Sequence, residues 1–453
     1  MLDILIKNGR YADFDRGALV YGDVGVRDGT IAAVGSVAED ARRVVDAAGK
    51  IVTTGFVDIH MHEENFAREG DRYDIALRML RMGVTTAVAG NCGGQSQSVA
   101  EFRNCIERLG GAPCNYLLLA GYNRARRLLA GLGEHERASE AQIDLCAAHL
   151  ASEIEGGASG ISFGVEYDPG IEEEEIIRVI AAQRPGVFAS MHYRDEGEAA
   201  IASVEEMIRI AKATGARFQI SHLSSCAAMG QMEEALRLIN RANEENPLLD
   251  YDTYPYNAFC THIGSVTFDG DRFERLKAAN APILIASGAH AGKIVEDRAL
   301  FDQIRAEKPS PLAVVFEMRE NEIGMAVANR ECGMVASDGV LMGGLGHPRA
   351  AGTFPRILAK YVREENALSM MCALKKMSVA PAGRMNLVKK TRVAPGYDAD
   401  LVVFDPHAVQ DRATFEQPNL PPAGFGAVIV NGRLAIMDDE VVDARAGRFI
   451  QSL

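Results

Sequence analysis

No run of about 18 consecutive apolar residues occurs anywhere in the chain, so no membrane-spanning helix is expected. There is no Cys-x-x-Cys pair either. The eight cysteines (Cys92, Cys105, Cys114, Cys146, Cys226, Cys260, Cys332 and Cys372) are scattered singly through 453 residues. That density argues against a disulfide-dense secreted scaffold. It points to a reduced, cytoplasmic setting in which most thiols serve as small buried hydrophobes. Positive charge is in deficit, with 48 Lys and Arg against 62 Asp and Glu and a formal net charge of -14. A nucleic-acid partner is therefore not expected, because such proteins carry a basic face. The opening MLDILIKNGRYADFDRG is too short in its apolar part and too charged for a secretion signal, and no cleavage-site pattern follows. Long polar low-complexity segments are missing too: the composition, 47% hydrophobic and 24% charged, is that of a globular protein. The length accommodates one large barrel-sized domain and a smaller one.

What is present changes along the chain. The first 50 residues alternate β-formers with Gly and Asp turn signals (DILIKNGRYAD, GDVGVRDGTIAAVG, RRVVDAAGK), and the far end does the same (ADLVVFDP, AVIVNGRLAIMDDEVV, AGRFI). Both ends read as pieces of one small β domain. Between them, short apolar runs alternate with helical stretches such as EEEEIIRVIAAQR, ASVEEMIRIAKATG and QMEEALRLINRANEEN. The candidate strands are VDIHMH, TTAVAGNCG, NYLLLAG, SGISFGVEY, GVFASMHYR, RFQISHLSS, LLDYDTYPY and CGMVASDG. Eight β-then-α units with nearly continuous apolar strands suggest a parallel α/β barrel, a (β/α)8 TIM-like fold; an open doubly wound sheet is the alternative. The expected organisation is 1–54 plus 391–453 as a β-sandwich and 55–390 as the barrel. Extra apolar runs (APILIASGAH, PLAVVFEM) predict an inserted lid or subdomain within about 258–331.

The polar residues fall at strand ends. The first strand ends in His60 and His62, the second in Asn91-Cys92-Gly93; the fifth carries His192, the sixth His222, and the eighth ends in Asp338. C-terminal strand ends of a barrel share one face, the face that carries chemistry. Residues i and i+2 of a strand project to the same side, so His60 and His62 are placed to share a metal ion. Imidazole, thiolate and carboxylate together suit Zn²⁺ better than Mg²⁺ or Ca²⁺. Any one of these groups alone reads as an ordinary structural residue, but the set on one rim does not. Cys92 lies in GNCGG, where glycines let the backbone turn tightly.

GFVDIHMH resembles the first-strand motif of the amidohydrolase superfamily. With GNCG, SFGVEYDPG, MHYRDEG, ISHLSS, YDTYPY, VASDG, HPRAAGTFPRILAKYVRE and PAGRMNLVKKTRVAPGYDADLVVFDP, all in order, the chain resembles the N-acyl-D-amino-acid deacylase (D-aminoacylase) family over nearly its whole length. The resemblance implies a (β/α)8 barrel joined to a β-sandwich. It implies one zinc held tightly by Cys92, His192 and His222, with Cys92 in place of the carboxylated lysine of many relatives, and a second, weaker position at His60, His62 and Asp338. Asp338 is the implied catalytic residue, carrying a proton from water to the leaving amine. The acidic Glu63 and Glu64 match no ligand position and read as a solvated turn.

For the substrate, an N-acyl-D-amino acid, the resemblance implies that Arg349 binds the carboxylate, with Tyr254 and Tyr167 as helpers. Ser224 stands where the family has a second carboxylate-binding lysine, which leaves Arg349, or Lys293 or Arg298 from the insertion, to hold the charge. His262, in NAFCTHIGS, reads as a solvent-exposed loop histidine, with contact to substrate as the alternative. Three other readings stand beside this one. A cyclic amide or an acyl amine without an α-carboxylate changes only the substrate. A non-catalytic scaffold would have lost its ligands, and a nucleic-acid deaminase fits poorly with the acidic charge. The expected partner is a small molecule, with a homo-oligomer left open on the face away from the chemistry.

Overall fold

In the computed structural model, which describes residues 1–63 and 73–452, the two ends of the chain meet in one nine-stranded sheet. Ile51–Thr54 is the seam: it pairs parallel to Leu2–Asp13 from the N-terminal side and antiparallel to Leu401–Phe404 from the C-terminal side. Side chains alternate across the sheet, as a period of two requires. Leu401, Val403, Ala427 and Ile429 pack with Ile4, Ile6, Val24, Val26 and Val52 in a core of their own. Their neighbours Val402, Phe404, Val428 and Val430 turn the other way, into the core of the main body. The sheet bends over its own apolar layer until two distant turns touch. A Cβ on Gly432 would lie 2.6 Å from the Cα of Gly29, and Gly432 has a φ of 75°, so only glycine fits that crossing.

The main body is a closed parallel barrel. Its strands are Phe56–Asp58, Val84–Ala89, Asn115–Leu118 (continuing at Ala120–Gly121), Ile161–Gly164, Phe188–His192, Arg217–Ile220, Leu249–Thr253 and Met334–Val335. Every neighbouring pair the ladders record among them is parallel. The ring closes where Asp338 N–H donates to His60 O at 2.8 Å and His62 N–H to Gly339 O at 2.9 Å. An open doubly wound sheet would leave the first and eighth strands apart. Helices cover the outside. In Glu173–Ala181 the buried residues Ile176, Val179 and Ile180 follow helical spacing, and three glutamates occupy the positive first turn. Ser98 and Ser139 start their helices with capping boxes completed by Glu101 and Gln142. Gly215, left-handed at φ 60°, ends Ala200–Thr214.

Between the seventh and eighth strands the chain builds a three-stranded antiparallel sheet, Phe259–His262, Ile283–Ile285 and Leu312–Val315, with helices Arg272–Ala278 and Arg298–Arg305. This insertion roofs the C-terminal ends of the barrel strands, since Phe259, Thr261, His262 and Leu312 share a cavity with His192 and Asp338. Among the described residues no helix is long and apolar enough to cross a membrane, and all eight cysteines are free.

Candidate metal centre

The cavity under the insertion holds about 760 Å³. At its floor the strand ends converge. His60 Nε2 lies 3.3 Å from Cys92 Sγ and 3.6 Å from Asp338 Oδ1; His62 Nε2 lies 3.1 Å from the same Asp338 oxygen. His222 Nε2 reaches Cys92 Sγ at 3.5 Å. Met61, between the two histidines, points into the core and is fully buried. The alternation expected of the first strand thus continues into its last turn.

Three of these groups sit on left-handed backbone: Cys92 at φ 52°, His222 at 32° and Asp338 at 47°. Non-glycine residues adopt that region at a cost of roughly 1–3 kcal/mol each, and only where the surroundings enforce it. Here they do. Gly93 follows Cys92 at φ 71°, and a Cβ there would fall 1.8 Å from Asn123 Oδ1; its N–H donates to Ser162 Oγ at 3.1 Å. His222 N–H donates to Asp252 Oδ1 at 2.8 Å.

The imidazoles are oriented from behind. Ser225 Oγ donates to His222 O and so accepts from His222 Nδ1–H at 2.8 Å, which presents Nε2 toward the thiol. His192 Nε2–H donates to Glu166 Oε2 at 2.7 Å, leaving a buried Nδ1 without a partner. His60 Nδ1 stands 3.3 Å from Asp252 Oδ1. Burial alone would push the Cys92 thiol up. The charge of His60 and the close imidazoles of His192, His222 and His60 outweigh it and hold the thiol well below its ordinary range. Burial likewise opposes ionisation of Asp338, but Arg349 first, then His222, His62 and His60, hold its carboxyl well below the usual range. A thiolate, converging ring nitrogens and a carboxylate, with His192 Nδ1 among the buried nitrogens left unsatisfied, form a donor set that fits a divalent metal ion.

The tightest groupings are His60, Cys92 and His222, and His60, His62 and Asp338, each with ligand atoms within 4.8 Å of one another. His192 borders the first group, its ring 4.5 Å from that of His222. The residues expected at the substrate divide. Tyr167 lines the cavity, its ring 4.7 Å from that of His192 and its hydroxyl 3.4 Å from Thr261 Oγ1. Arg349 lines it too, but its Nη1 is paired with Asp338 Oδ2 at 2.8 Å and its Nη2 donates to Cys260 O at 3.2 Å. Tyr254 lies behind the wall, its ring 4.6 Å beneath the Arg349 guanidinium.

Ser224 does not face the cavity. The left-handed His222 starts the short helix Leu223–Ala227, which turns Ser225 inward and packs the Ser224 hydroxyl against Thr253 Oγ1 and Tyr254 O. Lys293 is exposed, and Arg298 is spent on surface pairs with Glu274 and Asp302, so neither reaches the substrate. His262 lines the cavity, with Nδ1 2.8 Å from Ser310 O. Glu63 is no solvated turn. It is buried and accepts from the N–H groups of Ile75 and Ala76, both at 2.7 Å, and from Tyr116 OH at 2.5 Å. Glu64 lies outside the described residues. Sequence reasoning missed Glu166, Ser225 and Asp252. The rim rule could have found Glu166, two positions past its strand end.

The Amidohydrolase family model matches residues 175–436. The chain is 32% identical to an N-acyl-D-glutamate deacylase of Alcaligenes xylosoxydans xylosoxydans, over 99% of this chain and 96% of that protein. It is 31% identical to a D-aminoacylase of the same organism, over 99% and 97%. The crystal structure of an N-acyl-D-glutamate deacylase from Bordetella bronchiseptica, complexed with zinc and a phosphonate mimic of the tetrahedral intermediate, superposes with a TM-score of 0.88 at 29% identity, covering 99% of each chain. A cysteine at the end of the second strand, a closed barrel with a two-ended β domain and likeness over nearly the full length agree, and the chain belongs to the D-aminoacylase family of the amidohydrolase superfamily.

Proposed function

We propose that this chain is a zinc-dependent deacylase that hydrolyses N-acyl-D-amino acids to the free D-amino acid and a carboxylate. The observation that carries the reading is the Cys92 thiol held among His60, His192 and His222, with Asp338 on the neighbouring imidazoles. Cys92, His192 and His222 would hold one zinc tightly, and His60, His62 and Asp338 would form a weaker second position. When bound there, zinc would supply a Lewis acid for the scissile carbonyl and would lower the pKa of water from about 15.7 to about 7. Asp338 accepts the proton of the attacking water and hands it to the leaving nitrogen, which departs only when protonated. Arg349 meets the substrate carboxylate, steadied by the face of Tyr254, and Tyr167 closes the side of the pocket near His192. The free cysteines suit a reducing, cytoplasmic setting.

A second substrate class has one observation in its favour. Arg349 is committed to Asp338 and Ser224 faces away, so the charge available for an α-carboxylate is smaller than two cations would give. The deciding experiment is free-amine release, with zinc supplied, from N-acetyl-D-amino acids, their L enantiomers and cyclic amides such as hydantoins. Turnover of D-substrates with L ignored is the expected result. Silence on every acyl amino acid, with ring opening of a cyclic amide, would overturn it.

A further inference from the structure

Beside His192 a line of largely buried polar groups runs along the cavity wall, through Glu166 and Glu196, into the insertion. His192 Nε2–H donates to Glu166 Oε2 at 2.7 Å. The Glu166 carboxyl hydrogen-bonds that of Glu196. Glu196 Oε1 accepts from Arg272 Nη2 at 2.7 Å. The same guanidinium grips Glu317 with both prongs, at 2.6 and 3.2 Å. Arg272 is the first residue of the insertion helix Arg272–Ala278, and its side chain is only 7% exposed. Glu317 follows the insertion strand Leu312–Val315. Glu166 and Glu196 follow the fourth and fifth barrel strands.

Each link constrains the next. The Glu166 carboxylate decides that His192 carries its proton on Nε2, and so decides that Nδ1 is the nitrogen turned toward the thiol. Glu196 fixes Glu166, and Glu196 is itself held by a residue of the insertion. A guanidinium buried between two carboxylates is planar, two-pronged and directional, so its place depends on both. We propose that Glu166 and Arg272 are positioning residues of the metal centre, and that the line from His192 through Glu166 and Glu196 to Arg272 makes metal affinity depend on how the insertion is seated. The roof of the cavity is then more than a cover: its docking completes the orientation of one metal ligand.

The inference rests on the metal reading above. Its test is zinc affinity of the full-length, metal-stripped protein, measured by competition with a chromophoric chelator. Loss of a carboxylate behind a metal-bound histidine weakens binding by about 10–100-fold, which is the change expected for Glu166→Ala. Glu166→Gln, whose amide oxygen still accepts from Nε2–H, restores most of it. Arg272→Met weakens binding in the same direction, and the double variant Glu166→Ala/Arg272→Met binds no worse than Glu166→Ala alone, because both cut one path. Wild-type affinity in Arg272→Met, or losses that simply multiply in the double variant, would overturn the coupling. Should Arg272→Met not fold, Glu317→Gln keeps the guanidinium and frees one prong, with the same two outcomes. A wild-type chain that takes up no zinc would instead sink the metal reading itself.

Discussion

At Asp338 two imidazoles and a guanidinium compete for one carboxylate: His62 at 3.1 Å, His60 at 3.6 Å and Arg349 at 2.8 Å. The crowding holds so buried a carboxyl well below the usual carboxylate range, which the proton-accepting role proposed for it requires. Arg349 has two duties in this account, steadying Asp338 and meeting the substrate. Removing one partner of a buried charge pair costs about 2–5 kcal/mol. Arg349→Met should therefore lower kcat/KM by well over tenfold, on the order of that energy. Activity within twofold of wild type would take Arg349 out of the site. Cys92→Ala should lower bound zinc as well as activity, and metal analysis checks this. An unchanged stoichiometry would remove the thiol from the ligand set.

At the scale of elements, the centre was legible because barrel strands deliver their C-terminal residues to one rim, so that histidines at i and i+2 and a cysteine between glycines could be read as a set. What the sequence did not disclose is decided by turns. Left-handed backbone at His222 exchanges Ser225 for Ser224 on the cavity wall, and no composition rule gives that φ. Glu63 was misread because an acidic pair beside a turn is usually solvated. Its burial depends on the N-terminus of Asp74–Arg81 and on Tyr116, 53 residues away. Arg349 on Asp338 is likewise a contact that only the closed ring creates. Helix packing adds a prediction. Arg126 in Tyr122–Leu128 pairs with Glu175 in Glu173–Ala181 at 2.8 Å, with both side chains buried. Arg126→Ala leaves that carboxylate without its cation and should destabilise the fold by about 3–5 kcal/mol, read from denaturant unfolding. A loss below about 1 kcal/mol would mean the pair is not buried as described.

For the whole molecule, the two-ended β domain ties the start of the chain to its finish and plants one face on the barrel. Phe404, fully buried, belongs to that shared face. Phe404→Ala should cost about 3–5 kcal/mol and lower unfolding of sheet and barrel together. Separate transitions, with only one shifted, would show that the two units melt independently. The central claim is that hydrolysis depends on a metal held by the strand-end residues, with Asp338 moving the proton. The measurement that tests it most directly is turnover of an N-acetyl-D-amino acid by wild type and Asp338→Asn, with zinc content determined on the same samples. The account predicts a variant that keeps its tightly bound zinc and loses nearly all turnover. An Asp338→Asn protein that is fully loaded and close to wild-type activity would contradict it.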